Sequence, residues 1–174
     1  SEMCIRDSNC IDYKTKKITR FYPKSINKEC TTNIINRLLK HSDGNVYAFC
    51  NRSVFKCSMN QTVETVFPDI AIPSPTYSVA QAPDKDIYIG TESNGLYIYS
   101  ENWKLKKHVP IDGIIATILP DNNGDIWLGL DETGICLFNK NKQTFTWLHK
   151  DNTNLNNNSI PVSYTHLTLP TTPY

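Results

Sequence analysis

The segment Asp121-Asn122-Asn123-Gly124-Asp125, followed by Glu132, carries the residue types that come nearest to a metal site. Asp121, Asn123, Asp125 and Glu132 fall on positions 1, 3, 5 and 12 of a calcium-loop count, where such a loop presents oxygen ligands. Position 6 of that loop takes glycine for its sharp turn. Here it is Ile126, which opens an apolar run through Leu128. The run reads as a strand, so the acidic residues are expected to build a hairpin turn, and no metal or other cofactor is implied. Nucleophilic chemistry is no better served. His41, His108 and His149 each sit beside polar or basic residues near the end of an apolar run, and no G-x-S-x-G, phosphate-cradling glycine loop or H-E-x-x-H accompanies them. Cys10, Cys30, Cys50, Cys57 and Cys136 form no C-x-x-C pair, which leaves them as small buried apolar side chains. Asp and Glu are plentiful, but linear spacing does not show whether any two converge for acid–base work. No catalytic residue is expected.

Composition narrows the class further. Lys plus Arg is 18 and Asp plus Glu is 17, a net charge of +1, so the basic excess of a nucleic-acid binder is missing. Apolar residues at 39% and aromatics at 10% are enough to bury a core, unlike a disordered, solvating chain. No run approaches the ~18 uninterrupted apolar residues of a membrane-spanning helix, so no membrane contact by this segment is expected.

The elements that hold these residues come from a repeat. Asp43-Gly44-Asn45-Val46-Tyr47-Ala48-Phe49, Asp84-Lys85-Asp86-Ile87-Tyr88-Ile89-Gly90 and Asn123-Gly124-Asp125-Ile126-Trp127-Leu128-Gly129 align without gaps, about forty residues apart. After each comes a polar turn and a second β-rich run, with Gly95 and Gly134 at matching places and Ser53 in the first copy. A third run closes each unit, and an apolar run opens it: Ile34 to Leu39, Tyr77 to Ala82 and Ile114 to Leu119. The first of these could instead form a helix capped by Thr32 or Asn33, but its place in the repeat favours a strand. Four strands per forty residues is the signature of a β-propeller blade. Trp127, Tyr88 and Tyr47 share one repeat position, which points to blade-to-blade packing more than to sugar stacking. Trp103 falls in a turn and Trp147 on an outer strand.

The expected architecture is all-β: three four-stranded antiparallel blades at 34–67, 76–109 and 114–150, not closed. Residues 9–22 supply the last two strands of a preceding blade, and 151–161 a linker and the start of the next. Residues 1–8 and 162–174 resemble translated sequencing-adapter read-through and are set aside as tails.

The Asp-rich turn, the I/V-W/Y-hydrophobic-Gly strand and the Gly-L/I opening of the next strand resemble the two-component regulator propeller repeat. Asp121 to Gly129 is most similar, with Gly134 and Phe138 in register, and the linker Asp151 to Ile160 is like that family's inter-blade connection. Phe49, where Gly90 and Gly129 stand in the other copies, departs from the pattern. The resemblance implies the periplasmic sensor region of an inner-membrane hybrid sensor histidine kinase, in which the segment contributes signal input and no catalysis. It further implies the remaining blades of the parent as partners, an oligosaccharide as ligand, and a homodimeric parent. The rival reading is a generic interaction scaffold, or the substrate-binding part of a propeller lyase or hydrolase. Turns that recur with the repeat read as structural, whereas those that vary can carry specificity without disturbing the core. Arg52, Glu92, Asn94, Asp131 and Glu132, on the variable second-to-third-strand turns, are therefore the expected ligand contacts.

Overall fold

The computed structural model describes residues 8–11, 18–22, 34–57, 63–66, 72 and 74–160. Strands β1 (Ser8–Ile11) and β2 (Ile18–Phe21) form an antiparallel pair. Three four-stranded sheets follow, each antiparallel and in chain order. The first holds β3 (Arg37–Lys40), β4 (Val46–Cys50), β5 (Ser53–Cys57) and β6 (Val63–Val66); the second holds β7 (Thr76–Gln81), β8 (Ile87–Thr91), β9 (Leu96–Tyr99) and β10 (Leu105–Val109). The third holds β11 (Ile115–Pro120), β12 (Ile126–Leu130), β13 (Gly134–Asn139) and β14 (Thr144–Leu148). Boundaries differ from the sequence reading by one to three residues. Pairing in the first sheet begins at Arg37, not Ile34, although Asn36 N–H already donates to the Phe49 carbonyl at 2.8 Å. Ser8, set aside with the tail, pairs with Phe21. Residues 1–7, 67 and 161–174 lie outside the described residues.

The repeated turns close by one mechanism. His41, Ala82 and Asp121 each donate N–H to the carbonyl four residues on and accept from the N–H three residues on. The donor of that second bond is left-handed in every copy: Gly44 at φ 85°, Lys85 at φ 70° and Gly124 at φ 86°. Glycine takes this conformation freely, whereas a residue with a Cβ is strained by roughly 1–2 kcal/mol. Asp43 Oδ1 accepts from Asn45 N–H at 2.9 Å and Asp84 Oδ1 from Asp86 N–H at 3.2 Å, the local bonds that make these side chains favourable in turns.

Neighbouring sheets meet at their first strands, β3 against β7 and β7 against β11. Alternation along each strand then sends one set of side chains to either neighbour. Leu39, Tyr47 and Phe49 from the first sheet bury against Ile87, Ile89 and Tyr99 of the second. Tyr88, Leu96 and Ile98, on the second sheet's other face, bury against Ile115, Ile126 and Leu128 of the third. The seams are also bonded: Ser78 Oγ donates to the Ile115 carbonyl at 2.6 Å, and Asn36 Nδ2 to the Thr76 carbonyl at 3.4 Å.

That approach explains the glycine at the end of the repeat. A Cβ on Gly90 would lie 2.6 Å from Ile115 Cγ2 of the next sheet and 2.4 Å from Ser78 Oγ of its own, while one on Gly129 would lie 2.5 Å from Thr117 Cγ2 of its own sheet and 2.8 Å from Ile160 Cγ2 of the linker. Two substitutions follow with opposite signs. Gly90→Ala lowers stability by about 1–3 kcal/mol, the cost of overpacking a filled seam, while Lys85→Gly raises it by up to about 1 kcal/mol through relief of the left-handed turn. Urea unfolding of the two variants beside the parent chain measures both.

Candidate functional site

Sequential antiparallel order divides the turns between two ends of the fan. The first-to-second and third-to-fourth turns share one, here the hairpin end; the second-to-third turns and the connections between sheets share the other, the connection end.

At the hairpin end, side chains bridge the seams. Ser42 Oγ donates to Glu101 Oε1 at 2.7 Å and Gln81 Oε1 accepts Ser42 N–H at 2.9 Å, while Lys85 pairs with Glu101 at 3.2 Å within the second sheet. Beneath them Trp103 is buried at φ 60°, its ring 4.7 Å from Tyr47, 5.9 Å from His41 and 6.2 Å from Phe49. A turn of the second sheet thus plugs the face of the first. On the second seam, Lys106 Nζ from β10 donates to Asp86 Oδ1 at 2.9 Å and Oδ2 at 2.6 Å. Lys140 from the β13–β14 turn reaches Asp86 Oδ2 at 2.7 Å and also pairs with Asp84. Burial alone would raise the Asp86 pKa, but the two ammonium groups hold it below the usual carboxylate range. Asp43 behaves likewise: desolvation acts upward and is outweighed by bonds from Asn45, Tyr47 and His41. Burial, with Asp43 beside it, pushes Tyr47 up to about 12.

The connection end is tied mostly by backbone. Thr76 N–H donates to the Asn51 carbonyl at 2.9 Å, Glu92 N–H to Pro75 at 3.0 Å, and Asp131 N–H to Ile114 at 3.0 Å. Gly134 N–H reaches the Asn158 carbonyl at 2.7 Å.

All five residues nominated from the sequence stand at the connection end, on three different turns. Arg52, Glu92 and Glu132 are exposed, the last at φ 67°. Asn94 is half-buried, and its carbonyl accepts from His108 Nε2 at 2.7 Å, which fixes the proton on that nitrogen. Asp131 is also half-buried, and its Oδ1 accepts from Ser159 Oγ at 2.6 Å, anchoring the linker. The calcium-loop residues separate. Asp121 closes its turn by accepting from Asn123 and Asp125 N–H and from Trp127 Nε1 at 3.2 Å, while Glu132 lies past the far end of β12. Sequence reasoning missed Trp103, Lys106 and Lys140 as seam residues. None has a repeat partner or a patterned spacing, and their partners are 20 to 56 residues away or on another sheet.

No protein-family model matches the chain, and no curated protein matches it. Solved structures do. The extracellular domain of a putative one-component system from B. thetaiotaomicron superposes with TM-score 0.71 at 18% identity, over 90% of this chain and 22% of that one. The extracellular domain of a putative hybrid two-component system from the same organism gives 0.61 at 25% identity, over 79% and 20%. Virginiamycin B lyase from Staphylococcus aureus gives 0.60 at 19%, over 82% and 48%. The chain spans about a fifth of the length of the two sensor domains it matches. Its fold is that of an open β-propeller fragment, and the family resemblance read in the repeats agrees with the hybrid two-component neighbour.

Trp103→Ala is expected to cost about 3–5 kcal/mol, as for other large buried aromatic truncations. The pH profile of stability carries two limbs. Asp43 and Asp86 have folded pKa values below their unfolded ones, so their contribution is present above about pH 4 and is lost as pH falls through the folded values. Tyr47 and Tyr99, both raised to about 12 chiefly by burial, contribute below about pH 10 and lose that contribution as pH rises towards 12. Asp86→Asn lowers stability at neutral pH by roughly 1–3 kcal/mol, less than a fully buried pair because both lysines keep water contact, and makes the acid limb shallower. Thermal melts across pH check each.

Proposed function

We propose that this chain is part of the extracellular or periplasmic sensor propeller of a membrane-anchored two-component system, and that it contributes signal input, not catalysis. The observation that carries the reading is the contrast between the two ends. Side chains at the hairpin end are spent on each other across the seams. At the connection end backbone groups make most of the ties, helped by short hydroxyl side chains (Ser74 with Ser93, Ser159 with Asp131), which leaves the exposed side chains of Arg52, Glu92 and Glu132 available on a rigid scaffold. Together with Asn94 and Asp131 they form the proposed ligand face. Its mixed acidic, basic and amide character suits the hydroxyls of an oligosaccharide, the ligand class proposed here. The remaining blades of the parent cover the outer faces of this fragment, and a homodimeric inner-membrane parent would relay the shift in blade packing on binding.

The likeness to virginiamycin B lyase supports a second reading, in which the same end belongs to the substrate-binding part of a propeller enzyme. The two separate cleanly by experiment. A panel of glycan-derived oligosaccharides is titrated calorimetrically into the parent sensor domain and into variants with each of the five residues changed to alanine. Binding without turnover, weakened about tenfold or more by at least two of the changes, is the expected result. Release of a cleaved product would favour the enzyme, and affinity lost only through changes at 43–45 or 122–125 would move the site to the hairpin end.

A further inference from the structure

The repeat supplies an internal comparison for Tyr88. In the first sheet the equivalent residue, Tyr47, donates its hydroxyl to Asp43 Oδ2 at 2.8 Å, and in the third Trp127 donates to its own turn at Asp121 Oδ2. In the second sheet Tyr88 is fully buried, and its hydroxyl makes no hydrogen bond of normal geometry, with the Lys140 ammonium close enough to act on it. Asp84 occupies the place of Asp43, and its Oδ1 makes the same local bond, to Asp86 N–H. The difference lies at Oδ2. That oxygen, which in Asp43 takes the tyrosine, is held in Asp84 by Lys140 from the third sheet.

We propose that Lys140 is a releasable latch between the second and third sheets. Engaged, it joins the β7–β8 turn to the β13–β14 turn; withdrawn, it leaves Asp84 Oδ2 to accept the Tyr88 hydroxyl, the arrangement Asp43 and Tyr47 already show. Both states are within reach of each other. Asp84 is 45% exposed and Lys140 28%, so water screens the pair that is given up. Asp86 is not abandoned on release, because Lys106 still bonds both of its oxygens. The gain is a proper hydrogen bond for a buried hydroxyl whose desolvation is otherwise offset only by the nearby Lys140 ammonium. Two discrete arrangements of one turn, differing in which sheet holds it, form a bistable element at a packed seam. The latch depends on sheet packing alone and stands or falls apart from the sensor reading.

A double-mutant cycle in the 174-residue chain tests it. With Lys140 present, Tyr88→Phe removes only a hydroxyl that lacks a proper hydrogen bond and is expected to leave the melting temperature unchanged or raise it. In a Lys140→Met background the same change removes a made hydrogen bond and lowers the melting temperature by about 2–4 °C, the shift also expected for Tyr47→Phe in the parent chain. An effect of Tyr88→Phe that is the same in both backgrounds overturns the proposal. Should Lys140→Met fail to fold, Lys140→Gln carries the cycle. The salt dependence of Tyr88→Phe in the native-lysine chain gives a further reading: its cost must grow as added salt screens the latch, and a flat response likewise overturns the proposal.

Discussion

The close approach of neighbouring sheets at their first strands is the constraint on which the other features depend. It leaves so little room that a Cβ at Gly90 would overlap Ile115 of the next sheet, and it sets the plane in which apolar side chains from facing sheets interlock. Where the first copy has Phe49 instead, the ring points into the seam and is packed by Trp103 from the neighbouring turn. One repeat position therefore has two solutions, an absent side chain or a large one with a dedicated partner. Each is a way of filling the same gap.

The two seams reach similar closure by different chemistry. The first rests on an aromatic plug, with His41, Tyr47 and Phe49 around Trp103 and a polar network of Ser42, Gln81 and Glu101 above it. The second rests on a carboxylate held between two lysines over an aliphatic core. Aromatic packing is insensitive to salt and to acid, whereas the ion pairs respond to both. Both seams nonetheless respond to acid, the first through Asp43 and the second through Asp86, while the second, resting on ion pairs, is the more sensitive to salt.

Stability and recognition are separated along the length of the strands. Most side chains at the hairpin end are bonded to one another across or along the seams. At the connection end the backbone performs most of the joining, so side chains there can vary without unpicking the structure. His108 and Ser159 add local support, the first holding the turn at Asn94 and the second fixing Asp131. Such a division suits a repeated scaffold carrying a variable surface.

The repeat determined by itself the strand count, the hairpin turns and the in-register glycines, because each depends on residues within a few positions of one another: Gly44 and Gly124 for left-handed turns, Asp121 for its own hairpin. The shared repeat position of Tyr47, Tyr88 and Trp127 likewise pointed to packing between sheets; the two tyrosines are buried there, whereas Trp127 is half-buried. The sequence also placed Arg52, Glu92, Asn94, Asp131 and Glu132 on variable turns, though not the tie that half-buries Asp131. Only the tertiary structure decided which side chains cross the seams. Trp103 reads as an ordinary turn residue until the first sheet is beside it, and Lys140 as a surface lysine until Asp84 and Asp86 stand opposite. Those pairings join residues far apart in the chain, and no local propensity encodes a partner that folding alone brings within reach.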